Sequence, residues 1–128
     1  MNYLLDTHTF IWWALEPKKL SKRVLQLLEA PSNNVFLSIV SIWEMQIKMQ
    51  LNKLNLPFPL ADIVSQQQTI NHIKLLTIEP SHIYALEHFP LYHRDPFDRL
   101  LIAQSSITKF AFISKDPEFS KYSIRCIW

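Results

Sequence analysis

Four acidic residues each follow or flank an apolar run: Asp6 in "LLDTHTF", Glu44 in "SIWEMQ", Asp98 in "HRDPFDRLLIAQ" and Asp116 in "ISKDPEF". Each has a local explanation. Asp6 reads as a helix N-cap or turn residue, with Thr7 or Thr9 assisting. Ser41 and Glu44 match a capping box, and Glu44 with Lys48 forms a favourable i,i+4 pair. Asp95 before Pro96 has the form of an N-cap followed by an N1 proline. Asp98 then falls at N3, where a carboxylate suits the helix dipole. Asp116 reads as a cap or turn. The local account is weakest for Asp98. Phe97, Leu100, Leu101 and Ile107 mark one buried face and Ile102 the opposite side, leaving Asp98 on the flank between them. A buried carboxylate there needs a partner or a cation. If the four acids converge within about 4–6 Å, they cannot all stay ionised without cations. All-oxygen ligands suit Mg²⁺ or Mn²⁺. No Cys/His set has zinc spacing. His8 and His93 lie near the acids in sequence, whereas His72, His82 and His88 are expected on helix surfaces.

Acids so far apart in sequence need a scaffold to meet. "NYLLD", "VFLS" (35–38), "KLLTI" (74–78) and "FAFIS" (110–114) are short β-prone runs, and "SIRCIW" suits an edge strand. Helical segments lie between them. Ser21 can cap one that carries Val24, Leu25 and Leu28. Residues 38–54 place Val40, Trp43, Ile47 and Leu51 at helical spacing. Segments 60–73, 80–89 and 95–107 read as three more helices. This alternation predicts an α/β fold with a parallel sheet covered on both faces. In such folds sites form beyond the carboxyl ends of the strands. Asp6 follows the first strand. Ser38 ends the second and leads into the helix of Glu44. Ser114 and Asp116 follow the strand at 110–114.

Composition narrows the chemistry. The 128 residues fit one domain, 1–128, and 48% of them are apolar, which argues against wholesale disorder. No apolar run approaches the roughly 18 residues of a membrane span, and no signal peptide is evident. A lone cysteine, Cys126, cannot form an internal disulfide, so a cytoplasmic location is expected. The net charge of +2 is weak evidence for nucleic acid. Lys18, Lys19, Lys22 and Arg23 form the densest basic cluster, either a solvated helix start or a phosphate contact. Glycine is absent. That excludes the P-loop and the GxGxxG dinucleotide turn, and leaves turns such as "APSNN" to Asn, Pro and Ser.

The stretches "LLDTHTFIWW", "SIVSIWEMQIK", "HRDPFDRLLIAQ" and "ISKDPEFSKY", in this order and spacing, resemble the PIN-domain ribonucleases, in particular the VapC-like toxins of toxin–antitoxin pairs. The resemblance covers nearly the whole chain. It implies a PIN-like α/β/α sandwich and a metal-dependent acidic pocket of Asp6, Glu44, Asp98 and Asp116, with Thr7 and Ser114 as small polar neighbours. It implies Mg²⁺ or Mn²⁺ as cofactor, RNA as substrate, a cognate antitoxin and a homodimer. By this reading Asp6, Asp98 and Asp116 hold the ion, Glu44 ligates or orients the attacking water, and Arg94, Arg99 and Lys115 hold flanking phosphates. Trp12, Trp13, Phe58 and Tyr92 are candidates for partner surfaces or for core. Two readings compete. A haloacid-dehalogenase-type phosphatase would want an acid where His8 stands. A folded binding module would use all the acids as helix caps.

Overall fold

The computed structural model describes residues 1–128. Five strands, β1 (Asn2–Leu5), β2 (Asn34–Ser38), β3 (Lys74–Leu76), β4 (Ala111–Ile113) and β5 (Cys126–Ile127), form one sheet in the order β3-β2-β1-β4-β5. Every pairing is parallel. Six helices connect them: α1 (Thr7–Leu15), α2 (Lys22–Glu29), α3 (Ile39–Gln50), α4 (Leu60–Ile70), α5 (Pro80–Tyr84) and α6 (Pro96–Thr108). Short 3₁₀ turns cover Pro17–Lys19, Ala85–His88 and Pro117–Lys121. This is the covered parallel sheet that the alternation of runs predicts.

Side-chain alternation along the strands divides the core in two. Tyr3, Leu5, Val35, Leu37, Ala111 and Ile113 pack with Phe10 and Trp13 of α1, Val24 and Leu28 of α2, and Ile63 and Val64 of α4. Leu4 and Phe112 face the other way, onto Leu100–Ala103 of α6, Val40, Phe119 and Tyr122. The centre of the sheet is therefore dry on both faces, only the edge strand β3 being exposed, and polar chemistry is left to the strand ends.

Several elements differ from the expectation. α1 was not evident from apolar periodicity, because it buries Thr7 and Thr9 along with Phe10 and Trp13. α3 fully buries only Val40 of the predicted stripe. Trp43 is 51% exposed and Leu51 58%, while Val40, Ser41, Glu44 and Met45 are buried. The Ser41–Glu44 capping box does not form. β2 ends at Ser38, whose hydroxyl accepts the Val40 N–H at 3.0 Å, so Ser41 falls inside the helix. In α6 the buried run is Leu100–Ser105, and Ile107, nearly two turns beyond Leu100 and close to the helix end, is exposed. His82 is buried rather than on a surface: its Nδ1 accepts the Glu79 N–H at 3.0 Å, and burial lowers its pKa. The "APSNN" turn closes with Asn33 N–H donating to Ala30 C=O at 3.0 Å. Without glycine, the left-handed positions fall to Asn52, His72 and Lys109, with φ of 57°, 55° and 63°.

Strand order fixes where a site can form. From the central β1 the chain moves outward through β2 to β3, then crosses to β4 on the other side of β1. The connections thus diverge between β1 and β4, which opens a crevice at their carboxyl ends.

Candidate metal centre

Asp6 and Ser114 sit at this crevice, one residue beyond β1 and β4. The Asp6 N–H continues the ladder to Ile113 C=O at 3.0 Å. Thr9 adds a side-chain bond to the same carbonyl at 3.0 Å. The Asp6 side chain caps α1, with Oδ1 accepting the Thr7 N–H at 2.8 Å. Its Oδ2 accepts the Ser114 hydroxyl at 2.8 Å. Ser114 Oγ in turn accepts the Asp116 N–H at 3.1 Å. Asp116 caps the Pro117–Lys121 turn, with Oδ1 accepting the Glu118 N–H at 2.9 Å.

Glu44 arrives from α3. Its Oε1 accepts the Thr7 hydroxyl at 2.7 Å, and Thr7 Oγ1 lies 2.9 Å from Ser41 Oγ, whose proton can serve it. Glu44 Oε2 pairs with the Lys48 ammonium, the i,i+4 partner seen in the sequence. Asp95 caps α6, accepting the N–H groups of Phe97 at 2.8 Å and Asp98 at 3.3 Å on Oδ1. Asp98, one turn into α6, is half-buried, with no side-chain hydrogen bond or ion pair on its carboxylate.

All these acids line one cleft of about 270 Å³, walled by Asp6, His8, Glu44, Lys48, Asp95, Asp98, Asp116 and Phe119. The capping reading and the site reading therefore coexist. Asp6, Asp95 and Asp116 are caps, and the three N-termini they cap meet at the same cleft. Four of the predicted residues, Asp6, Glu44, Asp98 and Asp116, line it; Thr7 and Ser114 hold two of them in place. Lys48 and Asp95 belong to the cleft as well. The i,i+4 spacing from Glu44 signalled Lys48, but only the fold places Asp95 beside the others. Arg99 is not a free phosphate contact. Its guanidinium donates to the carbonyls of Pro90, Leu86 and Phe89 at 3.0, 3.2 and 3.4 Å, tying that loop to α6.

The electrostatics are those of crowded negative charge. Burial, then the charges of Asp95, Asp6 and Glu44, push the Asp98 carboxyl up to about 7, with Lys48 opposing. Burial also raises Asp6, against the hydrogen bond from Ser114. Burial pulls Lys48 down, but its bond to Glu44 and the charges of Glu44, Asp95 and Asp98 outweigh this and raise it. Burial, then Asp6 and Asp116, raise the Cys126 thiol to about 11, which leaves it unreactive. One lysine faces five carboxylates across the cleft. No group of three or more of these side chains is set to enclose an ion as it stands. The donors are nonetheless all carboxylate oxygens, and Asp98 has no ion-pair partner. That set fits a hard divalent cation that keeps much of its water, rather than a closed protein cage.

Fold and site together define an α/β protein with an acidic crevice at the switch point of a parallel sheet. The family model of the PIN domain matches residues 3–124, and the chain belongs to that family. Ribonuclease VapC22 of Mycobacterium tuberculosis (strain ATCC 25618 / H37Rv) is 27% identical over 114 residues, covering 88% of this chain and 85% of that protein. Among solved structures, VapBC2 from Rickettsia felis, bound to a DNA fragment from its promoter, aligns with a TM-score of 0.72 at 11% identity, over 99% of this chain and 98% of the matched one. DNA-bound VapBC from Salmonella typhimurium aligns with a TM-score of 0.68 at 14% identity, over 99% and 97%. At these identities the structural likeness bears on the fold.

Proposed function

We propose that this chain, as one PIN domain over residues 1–128, is a divalent-metal-dependent endoribonuclease and the toxin of a toxin–antitoxin pair. The observation that carries the reading is the convergence of Asp6, Glu44, Asp98 and Asp116 on one cleft at the β1/β4 switch point of a PIN-family fold. The likeness to Ribonuclease VapC22 over most of both chains supports RNA as substrate. The VapBC complexes among the structural neighbours support an antitoxin partner. The exposed aromatics Trp43, Phe58 and Tyr92 offer surface for that partner or for a second copy of the chain. No helix is long and apolar enough to cross a membrane, and the activity suits a cytoplasmic location.

Asp6, Asp98 and Asp116 would hold Mg²⁺ or Mn²⁺. When bound, such an ion supplies charge neutralisation and an acidified water for attack on phosphorus. The chain's own residues do the positioning. Ser114 and the Thr7 N–H fix the Asp6 carboxylate. Thr7 and Lys48 hold the two oxygens of Glu44, so its carboxylate is fixed to accept a hydrogen bond from the attacking water. Lys48 also offsets part of the negative charge that would otherwise repel a phosphate. Arg94 and Lys115 are exposed beside Asp95 and Asp116 in sequence and would contact flanking phosphates.

The test uses purified protein with tRNA, rRNA and mRNA pools. Cleavage is expected in Mg²⁺ or Mn²⁺ and not in EDTA. Glu44→Gln keeps size and helix propensity, so it should retain the fold while cleavage drops about 10²–10⁴-fold, the usual worth of a positioned base. Expression of the wild type should arrest bacterial growth, and Asp6→Asn should relieve the arrest at equal protein level. Clean wild-type protein that cuts none of the pools would leave a binding module.

A further inference from the structure

Behind the cleft wall lies an imidazole that the site above does not use. His93 is 8% exposed and its Nε2 has no hydrogen-bond partner. A buried ring nitrogen left in this way is costly and calls for an explanation. The rest of the ring is well held. It stacks on Phe119 with centroids 4.6 Å apart, and Phe119 lines the cleft. The backbone N–H of His93 donates to Tyr122 Oη at 3.0 Å, and the same oxygen lies 3.0 Å from His93 Nδ1. Tyr122 Oη, which accepts the backbone N–H, can give its own proton to Nδ1. In that arrangement the neutral ring carries its proton on Nε2. An acceptor stands nearby: Asp116 Oδ2 is 3.8 Å from Nε2.

Asp116 needs such a partner. Its Oδ1 is committed to the Glu118 N–H, and its side chain is 41% exposed, whereas that of Glu44 is 4% exposed. Asp6 is held by two hydrogen bonds and Glu44 by Thr7 and Lys48. The Asp116 Oδ2 has no bond yet.

We infer that His93 is a positioning residue, whose Nε2–H, presented by Tyr122 and Phe119, orients Asp116 Oδ2 for the metal ion. A small rotation of the Asp116 carboxyl closes the gap, and catalytic hydrogen bonds often tighten only on loading. The inference rests on the metal-site reading of Asp116. It makes Tyr122 and Phe119 part of the same support, although both also belong to the core packed against α6.

The test compares amide replacements on the full chain. The Gln amide nitrogen reaches the place of Nε2, and the Asn nitrogen only that of Nδ1. His93→Asn is expected to weaken Mn²⁺ binding, measured by calorimetry, about 10–100-fold, the usual effect of losing a partner behind a ligand. His93→Gln should restore most of it. In an Asp116→Asn background, His93→Asn should cost nothing further. In the metal-free wild type, ¹⁵N shifts of the ring should report the Nε2–H tautomer, and Tyr122→Phe should mix the two tautomers even if His93→Asn fails to fold. A folded His93→Asn variant that binds Mn²⁺ as the wild type does, an equal loss in the Asp116→Asn background, or an Nδ1–H tautomer would each overturn the role of His93. A wild type that binds no Mn²⁺ overturns the metal reading itself, and this inference with it.

Discussion

Asp98 shows how a single side chain can record the purpose of a site. A carboxyl whose only task was to complement the α6 dipole would gain from ionising. Here burial and the charges of Asp95, Asp6 and Glu44 hold it at about 7 instead, against an ordinary 3.8. The sign of the consequence follows. Between those two values the folded chain keeps a proton that the unfolded chain has released, so ionising Asp98 as pH rises destabilises the fold. Metal-free wild type is therefore expected to lose stability from about pH 4 to pH 7 relative to Asp98→Asn, and the difference should level off above the folded value. Urea denaturation at a series of pH values in EDTA reads this directly. Parallel curves for the two proteins across that window would mean that Asp98 is compensated by something other than a metal. The same substitution should abolish cleavage, because an amide cannot supply the anionic oxygen that an ion takes.

At the scale of elements, helix capping and the lining of the cleft share residues. α1, α6 and the Pro117–Lys121 turn all begin with an aspartate cap at one sheet edge, so three positive helix ends help to hold the acids there. Asp95 is the member with the strongest capping role, accepting two N–H groups on one oxygen. Asp95→Ala should therefore cost about 0.5–2 kcal/mol by chemical denaturation and leave much of the cleavage in place. Loss of cleavage at unchanged stability would reverse the roles assigned to Asp95 and Asp98. This layer also separates what was legible in the sequence from what was not. The covered parallel sheet was legible, since short apolar runs alternating with helical ones have few other solutions. The buried face of α3 was not. Trp43 has core character, yet it stands half-exposed, edge-on to Phe97 with centroids 4.9 Å apart. Apolarity marks what can be buried, and tertiary contacts decide what is. Ser41 read as the cap of α3, but β2 ends at Ser38, and Ser38 takes that role. Ser114 and Asp6, 108 residues apart, meet because β4 pairs with β1. That pairing lies in strand order, which local pattern does not encode. The four acids could be named from the motifs of the family resemblance and Lys48 from its spacing to Glu44, while Asp95 entered the cleft only with the fold.

Across the whole molecule the charge is segregated. The chain carries a net charge of +2, yet five carboxylates and one lysine line the cleft. On the proposed function, an RNA phosphate would meet repulsion from these carboxylates at the cleft. A divalent cation would resolve both problems, since it would relieve the acids in the free protein and pair with the phosphate in the complex. Relief in the free protein can be measured without any substrate. A ligand that binds only the folded state stabilises it by about 2.7 kcal/mol at 100 times its dissociation constant. Mg²⁺ and Mn²⁺ should therefore raise the melting temperature in a saturable way, and EDTA should return it. The control is NaCl at matched ionic strength, because screening alone also softens repulsion among half-exposed acids. Site binding requires the divalent shift to exceed that of matched NaCl. It also requires Asp98→Asn and Asp6→Asn, each starting from a less strained cleft, to melt higher than wild type without metal and to gain less from its addition. Equal shifts in MgCl₂, MnCl₂ and matched NaCl, or full divalent shifts in both variants, would show that the cleft is merely an acidic surface that salt relaxes.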